Sequence, residues 1–137
     1  MRKAKYYASL SVTLFVLGCA SGGPRGAGEP PPVRMIGSNW SLVSLGGELP
    51  VRESQITLAF GADGQASGHA GVNRYFGPFT IANPNRGAGT IGFGELGSTR
   101  MAGTPELMDQ EREYLDMLRA VTAYRAGGGL LDRKSVV

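Results

Sequence analysis

The sequence predicts a mainly β (α+β) domain, a small antiparallel, partly closed barrel carrying one amphipathic helix. Three observations lead there. Between Ile56 and Phe79 apolar and polar residues alternate in short runs separated by turn residues, which is the period of strands. The 137 residues include 22 glycines and 8 prolines, a composition that favours short strands and turns over long helices. After Thr104 the pattern changes to helical spacing and stays there for about four turns.

The first 18 residues read as an address. Arg2, Lys3 and Lys5 form a positive start, and Ala8 to Leu17 is an apolar stretch of ten residues. A bilayer span needs about 20 residues, so this stretch fits a secretory leader instead. It ends in Val16-Leu17-Gly18-Cys19, which resembles the lipobox of bacterial lipoproteins. That resemblance implies cleavage before Cys19, which becomes the new N-terminus and carries a diacylglyceryl group, a lipid anchor that includes palmitate. Ala20, rather than Asp, follows the cysteine, which directs the expectation to the outer membrane, facing the periplasm. Cys19 is the only cysteine, so a lipidated chain has no thiol left for a disulfide, a metal or a nucleophile.

Residues 19–36 carry the lipidated cysteine and a Gly/Pro-rich tether, expected to be disordered and stiffened locally at Pro30-Pro31-Pro32. The 17 residues after Cys19 reach at most about 56 Å. The formal charge is +3, but losing Arg2, Lys3 and Lys5 with the leader leaves 11 basic against 11 acidic residues. No basic run remains to grip phosphates, and nucleic acid is excluded as a partner.

The domain is expected over residues 37–137. Trp40 and Leu42 share one face of a first strand that Gly46-Gly47 ends. Ile56, Leu58 and Phe60 face inward on the next, Asp63-Gly64 supplies a hairpin turn, and Gln65 to Ala70 returns with small residues that permit close packing. Tyr75, Phe79 and Ile81 share a face; Asn83 to Gly87 is a turn cluster; Thr90 to Phe93 is a short strand. Thr104-Pro105 is a helix start, with a hydroxyl cap and proline at the first position, and Glu106 suits the helix dipole. Leu107, Met108, Glu111, Tyr114, Leu115 and Leu118 fall on one side of a helix from Pro105 to about Arg119. Val121 to Tyr124 is a further strand, and Leu130 to Val137 a weak final segment. Five to seven strands and one helix make up the count.

Asp63-Gly64, Gly68 to Phe76 (GHAGVNRYF), Gly97 to Ala102 (GSTRMA), Pro105-Glu106-Leu107-Met108 and Gln110-Glu111, with Trp40 ahead of them, resemble the META-domain family typified by the heat-shock lipoprotein HslJ. The resemblance spans about Trp40 to Tyr124. It implies a lipocalin-like barrel with one helix, no established enzymatic activity, and a role in envelope stress or drug tolerance. Two departures stand out. Where the family often has cysteines this chain has Val72 and Gly103, and its C-terminus is short, so that the last strand is expected to be incomplete and a sheet edge open.

Other chemistry finds little footing. Gly92, Gly94 and Gly97 spell a dinucleotide fingerprint but do not lie between a strand and a helix. Ser67 and His69, the only histidine, share a strand face and define an alternative reading as a small hydrolase, without a nucleophile elbow or an acid. Glu106, Asp109, Glu111, Glu113 and Asp116 read mostly as a solvated helix face. No metal or other cofactor is expected, and a carrier of a small apolar ligand is opposed by large inward residues such as Trp40, Phe60, Phe79 and Phe93. The candidate binding or structural motif is Asn73, Arg74 and Tyr75 with Ser98, Thr99, Arg100 and Met101. In the structural reading Asn73 takes a left-handed corner and Arg100 ties the segment before the helix to Asn73-Arg74 through its fork of donors. In the other, the arginines recognise an anionic partner. The protein is expected to be a monomeric, membrane-anchored binding or stability module of the envelope.

Overall fold

The computed structural model describes residues 3–8, 34–127 and 130–135. The leader's apolar stretch beyond Ala8, Cys19 and the tether up to Val33 lie outside the described residues. Nine strands and one helix follow in chain order: β1 Lys3–Ala8, β2 Asn39–Leu45, β3 Thr57–Phe60, β4 Gln65–His69, β5 Arg74–Ile81, β6 Ala88–Phe93, β7 Gly97–Ser98, α1 Pro105–Ala120, β8 Val121–Gly127 and β9 Leu130–Ser135. All pairings are antiparallel, in the order β4-β3-β2-β1-β9-β8-β6-β5, with β4 also paired to β5 and short β7 beside β5. The expected class stands: a mainly β, nearly closed barrel with a single helix.

The strand count exceeds the expected five to seven for two reasons. The C-terminal segment is a full strand, Leu130 to Ser135, paired with β8. The open edge expected there is covered, because β9 also pairs with β1. Lys3 to Ala8, read from sequence as part of the leader, thus pairs with both β2 and β9, with Tyr6 wholly buried. The domain also begins earlier than residue 37. Met35 is buried and its N–H donates to the Pro84 carbonyl at 3.0 Å.

Local chemistry explains most elements. In the β3–β4 turn Gly64 adopts φ 79°, and Asp63 Oδ1 accepts from Gln65 N at 3.0 Å. Gly68 is required by closeness: a Cβ there would lie 2.1 Å from the Thr57 carbonyl oxygen. Along β5 Tyr75, Gly77 and Phe79 face inward and Arg74, Phe76, Pro78 and Thr80 outward, an uninterrupted strand alternation. The core holds Trp40, Leu58, Phe60, Phe79, Ile91 and Tyr124, with Phe60 and Phe79 edge to face at 5.0 Å. Large side chains occupy the interior where a ligand carrier would need a cavity.

Helix α1 runs one residue past its expected end, and Thr104 Oγ1 caps it by accepting from Leu107 N at 3.5 Å. Tyr114 explains where it lies. Its ring is 6.5 Å from that of Tyr6 on β1, and its hydroxyl is 2.8 Å from that of Tyr75 on β5 and 3.5 Å from the Thr57 carbonyl on β3. One residue touching three walls places the helix across an end of the barrel. Its outer face carries the exposed pairs Arg112–Asp109 and Arg119–Asp116, both 3.0 Å. Among the described residues no helix is long and apolar enough to cross a membrane.

Candidate functional site

The β4–β5 corner, Ala70 to Arg74, and the segment leading to the helix, Gly97 to Met101, come together as one unit. The corner turns on Gly71, whose φ of 122° only glycine adopts readily. Asn73 is not left-handed, contrary to the sequence expectation. It is instead 2% exposed and hydrogen-bonded through all four of its polar atoms. Its carbonyl accepts from Ala70 N at 2.8 Å. Its Oδ1 accepts from Met101 N at 2.6 Å and from Thr99 Oγ1 at 2.9 Å, while its Nδ2 donates to the Met101 carbonyl at 3.1 Å. Thr99 Oγ1 in turn accepts from Arg74 N at 3.1 Å.

The fourth partner comes from the helix. Glu111 Oε2 accepts from Asn73 N at 2.7 Å and from Val72 N at 3.1 Å, and Oε1 accepts from Asn73 Nδ2 at 2.8 Å. Glu111 is 6% exposed, so a carboxylate is held inside the protein by three N–H groups rather than by a cation. The preceding residue works the same way on another loop. Gln110 Oε1 accepts from Val51 N at 2.6 Å, and its Nε2 donates to Ser54 Oγ at 2.9 Å. One turn of α1 therefore fastens both the β2–β3 connection and the β4–β5 corner. In the sequence Gln110-Glu111 stands out only through the family resemblance, and Glu111, though on the apolar side of the helix, is grouped with acids read mostly as a solvated face. The available signal was that Glu111 interrupts the apolar side formed by Leu107, Met108, Tyr114, Leu115 and Leu118.

The tie assigned to Arg100 is made by Asn73. The reason is the two-way nature of the contact. Met101 offers both an N–H and a carbonyl, and an amide side chain answers both, whereas a guanidinium only donates. Arg100 and Arg74 are exposed, and among the described residues neither side chain has a hydrogen bond or ion pair. Beside them Phe76 and Met101 are 59% and 63% exposed. The Phe76 ring lies over Gly97, where a Cβ would be 3.0 Å from its Cζ. Tyr75 points the other way, into the core, and its hydroxyl donates to the Thr57 carbonyl at 2.7 Å. Ser98 pairs with Tyr75 across β7 and β5. Val72 and Gly103 are neighbours, since a Cβ on Gly103 would lie 2.6 Å from Val72 Cγ2.

Ser67 and His69 lie near this surface, in a shallow groove with Thr57, Arg74 and Phe76. The His69 backbone N–H donates to Thr57 Oγ1 at 3.0 Å, but among the described residues neither the Ser67 hydroxyl nor the His69 ring is hydrogen-bonded to a base or an acid. The geometry gives the hydrolase reading no nucleophile–base pair. Among the described residues there is no group of three His, Cys, Asp or Glu side chains that could hold a metal ion.

Among curated proteins no sequence matches this chain. The NMR structure of a protein from Burkholderia xenovorans is similar, with a TM-score of 0.51 at 20% identity over 87% of this chain and 99% of that one. At that identity the likeness bears on the fold alone. The model of the META domain family matches residues 33–133, which span the Asn73 corner, the Thr99–Met101 segment and the whole helix, and the chain belongs to that family.

Proposed function

We propose that the protein is a lipid-anchored, non-enzymatic module of the cell envelope, held through Cys19 at the outer membrane and facing the periplasm, whose corner surface recognises an anionic envelope partner. The observation that carries this reading is the division of labour within the two motifs. Asn73 and Glu111 turn inward and, with the Thr99 hydroxyl, fix the backbone. Arg74 and Arg100 are exposed, their side chains without a hydrogen bond or ion pair among the described residues, next to exposed Phe76 and Met101. Guanidinium groups on a rigid platform lose little freedom on binding, and an adjacent aromatic ring adds apolar contact. The leader, the lipobox resemblance and the tether support the anchor. A part in envelope stress or drug tolerance follows from the family resemblance.

The anchor is tested by labelling with palmitate. Wild type is expected to incorporate it and Cys19→Ala to incorporate none; equal labelling of both rejects the anchor. The surface is tested by complementation. In a strain lacking the gene, wild type is expected to restore growth under envelope stress. A double Arg74→Glu, Arg100→Glu variant, expressed equally and melting like wild type, is expected to fail. Full rescue by that variant would remove the arginines from the function.

A further inference from the structure

We propose that the first strand is a lock on export. In a finished precursor β1 fills its place in the barrel wall and withholds the positive start of the leader from the export machinery. The chain then has to be captured before β9 is made. This rests on the lipid-anchor reading, which makes Lys3 to Ala8 the start of a leader.

The lock is built from backbone and one side chain. β1 pairs antiparallel with β2 from Ala4 to Ala8 and with β9 from Lys3 to Tyr7. A strand bonded along both edges cannot enter a binding cleft or a protease without leaving the sheet. Tyr6 is wholly buried, its ring 6.5 Å from that of Tyr114 on α1. In register it stands opposite Leu131 on β9, which is also wholly buried. Withdrawing β1 exposes that aromatic side chain and leaves two rows of backbone groups unpaired. The same strand carries Lys3 and Lys5, the charges that mark the start of a leader. One segment cannot lie in the sheet and in an export site at once.

Timing follows from the topology. One partner of β1 is β9, Leu130–Ser135, the last strand of the chain. At about 5–20 residues per second, the 137 residues take about 7–27 s to make. Until then β1 lacks the partner of one edge and is open to capture. Afterwards both ladders and the Tyr6 contacts hold it.

The test uses the full chain made by cell-free translation, with inverted inner-membrane vesicles present during synthesis or added after its end. Wild type is expected to be processed to an N-terminal Cys19 with early vesicles, and about tenfold less or worse with late ones. Limited trypsin digestion of the vesicle-free product, read by mass spectrometry, is expected to cut after Lys3 and Lys5 about tenfold or more slowly than in a peptide of residues 2–12. Tyr6→Ser, and Leu131→Ser with its unaltered leader, are expected to speed that cleavage and to restore late processing. Wild type cut as fast as the peptide overturns the lock, whatever the variants do. Late processing of wild type equal to early processing also overturns it. So do variants that free β1 to trypsin yet stay unprocessed, because folding of the remaining domain is then the block. No processing at either time overturns the anchor reading along with it.

Discussion

Glu111→Ala is expected to destabilise the protein by about 3–5 kcal/mol, a large share of the about 5–15 kcal/mol that holds a domain of this size. The carboxylate, almost wholly buried, accepts from Val72 N, Asn73 N and Asn73 Nδ2. Truncation removes the acceptor of Val72 N, of buried Asn73 N and of one of the two Nδ2 hydrogens of Asn73, at about 1–3 kcal/mol for each that no water rescues. It also opens a void at the helix, where the side chain had been packed. Glu111→Gln is expected to recover only part of the loss. One amide oxygen replaces one acceptor, and the new NH₂ group faces N–H groups that also donate. Asp116→Ala is the control: its partner Arg119 is half exposed, and a pair of this kind is worth about 0.5 kcal/mol or less. Urea melts of the three variants beside wild type measure this. A midpoint for Glu111→Ala within error of that for Asp116→Ala would show that the corner is held by something other than the helix.

The same residue marks the limit of what can be read along the chain. Local features were legible because their causes are local. Asp63-Gly64 needs no distant partner to turn, and Thr104-Pro105 starts a helix by its own chemistry. The alternation in β3 and β5 likewise reports burial directly. Glu111 acts on residues 38 and 39 positions away, and no local pattern names them. The exchange of roles between Arg100 and Asn73 has a similar origin. Both lie in polar segments, and only the relative placement of Met101 shows that the contact needs an acceptor as well as a donor. The first and last strands were the least legible. Lys3 to Ala8 has the charge pattern of a leader, and its pairing with β9 joins the two ends of the chain, where sequence separation is greatest. The candidate surface was half legible: its residues were named, but which of them face inward was decided by the fold.

Asn73→Asp is expected to be the most pH-dependent substitution in the protein. The change keeps shape and keeps an oxygen to accept from Met101 N and Thr99 Oγ1. It replaces the Nδ2 donor by a second oxygen, which then stands 2.8 Å from Glu111 Oε1 and 3.1 Å from the Met101 carbonyl. Two buried carboxylates at that separation cannot both be ionised, so folding raises the pKa of the introduced group above its unfolded value. The sign follows from linkage. A group whose pKa is raised by folding contributes its stability at low pH and loses it as pH rises through the raised value. At neutral pH the variant is expected to be destabilised by about 3–5 kcal/mol, as for a buried charge left without compensation. Near pH 4.5, close to the ordinary carboxylate range of about 4, a shared proton between the two oxygens restores a hydrogen bond and part of the loss. Asn73→Ala removes the same donor without adding charge, so its deficit relative to wild type should stay nearly constant over that range. Urea midpoints of wild type and both variants at pH 7 and about pH 4.5 separate the cases. If the Asn73→Asp deficit is the same at both values, the two side chains do not face each other in the folded protein. The clamp between the corner and the helix would then have to be assigned to the backbone contacts of Asn73 alone.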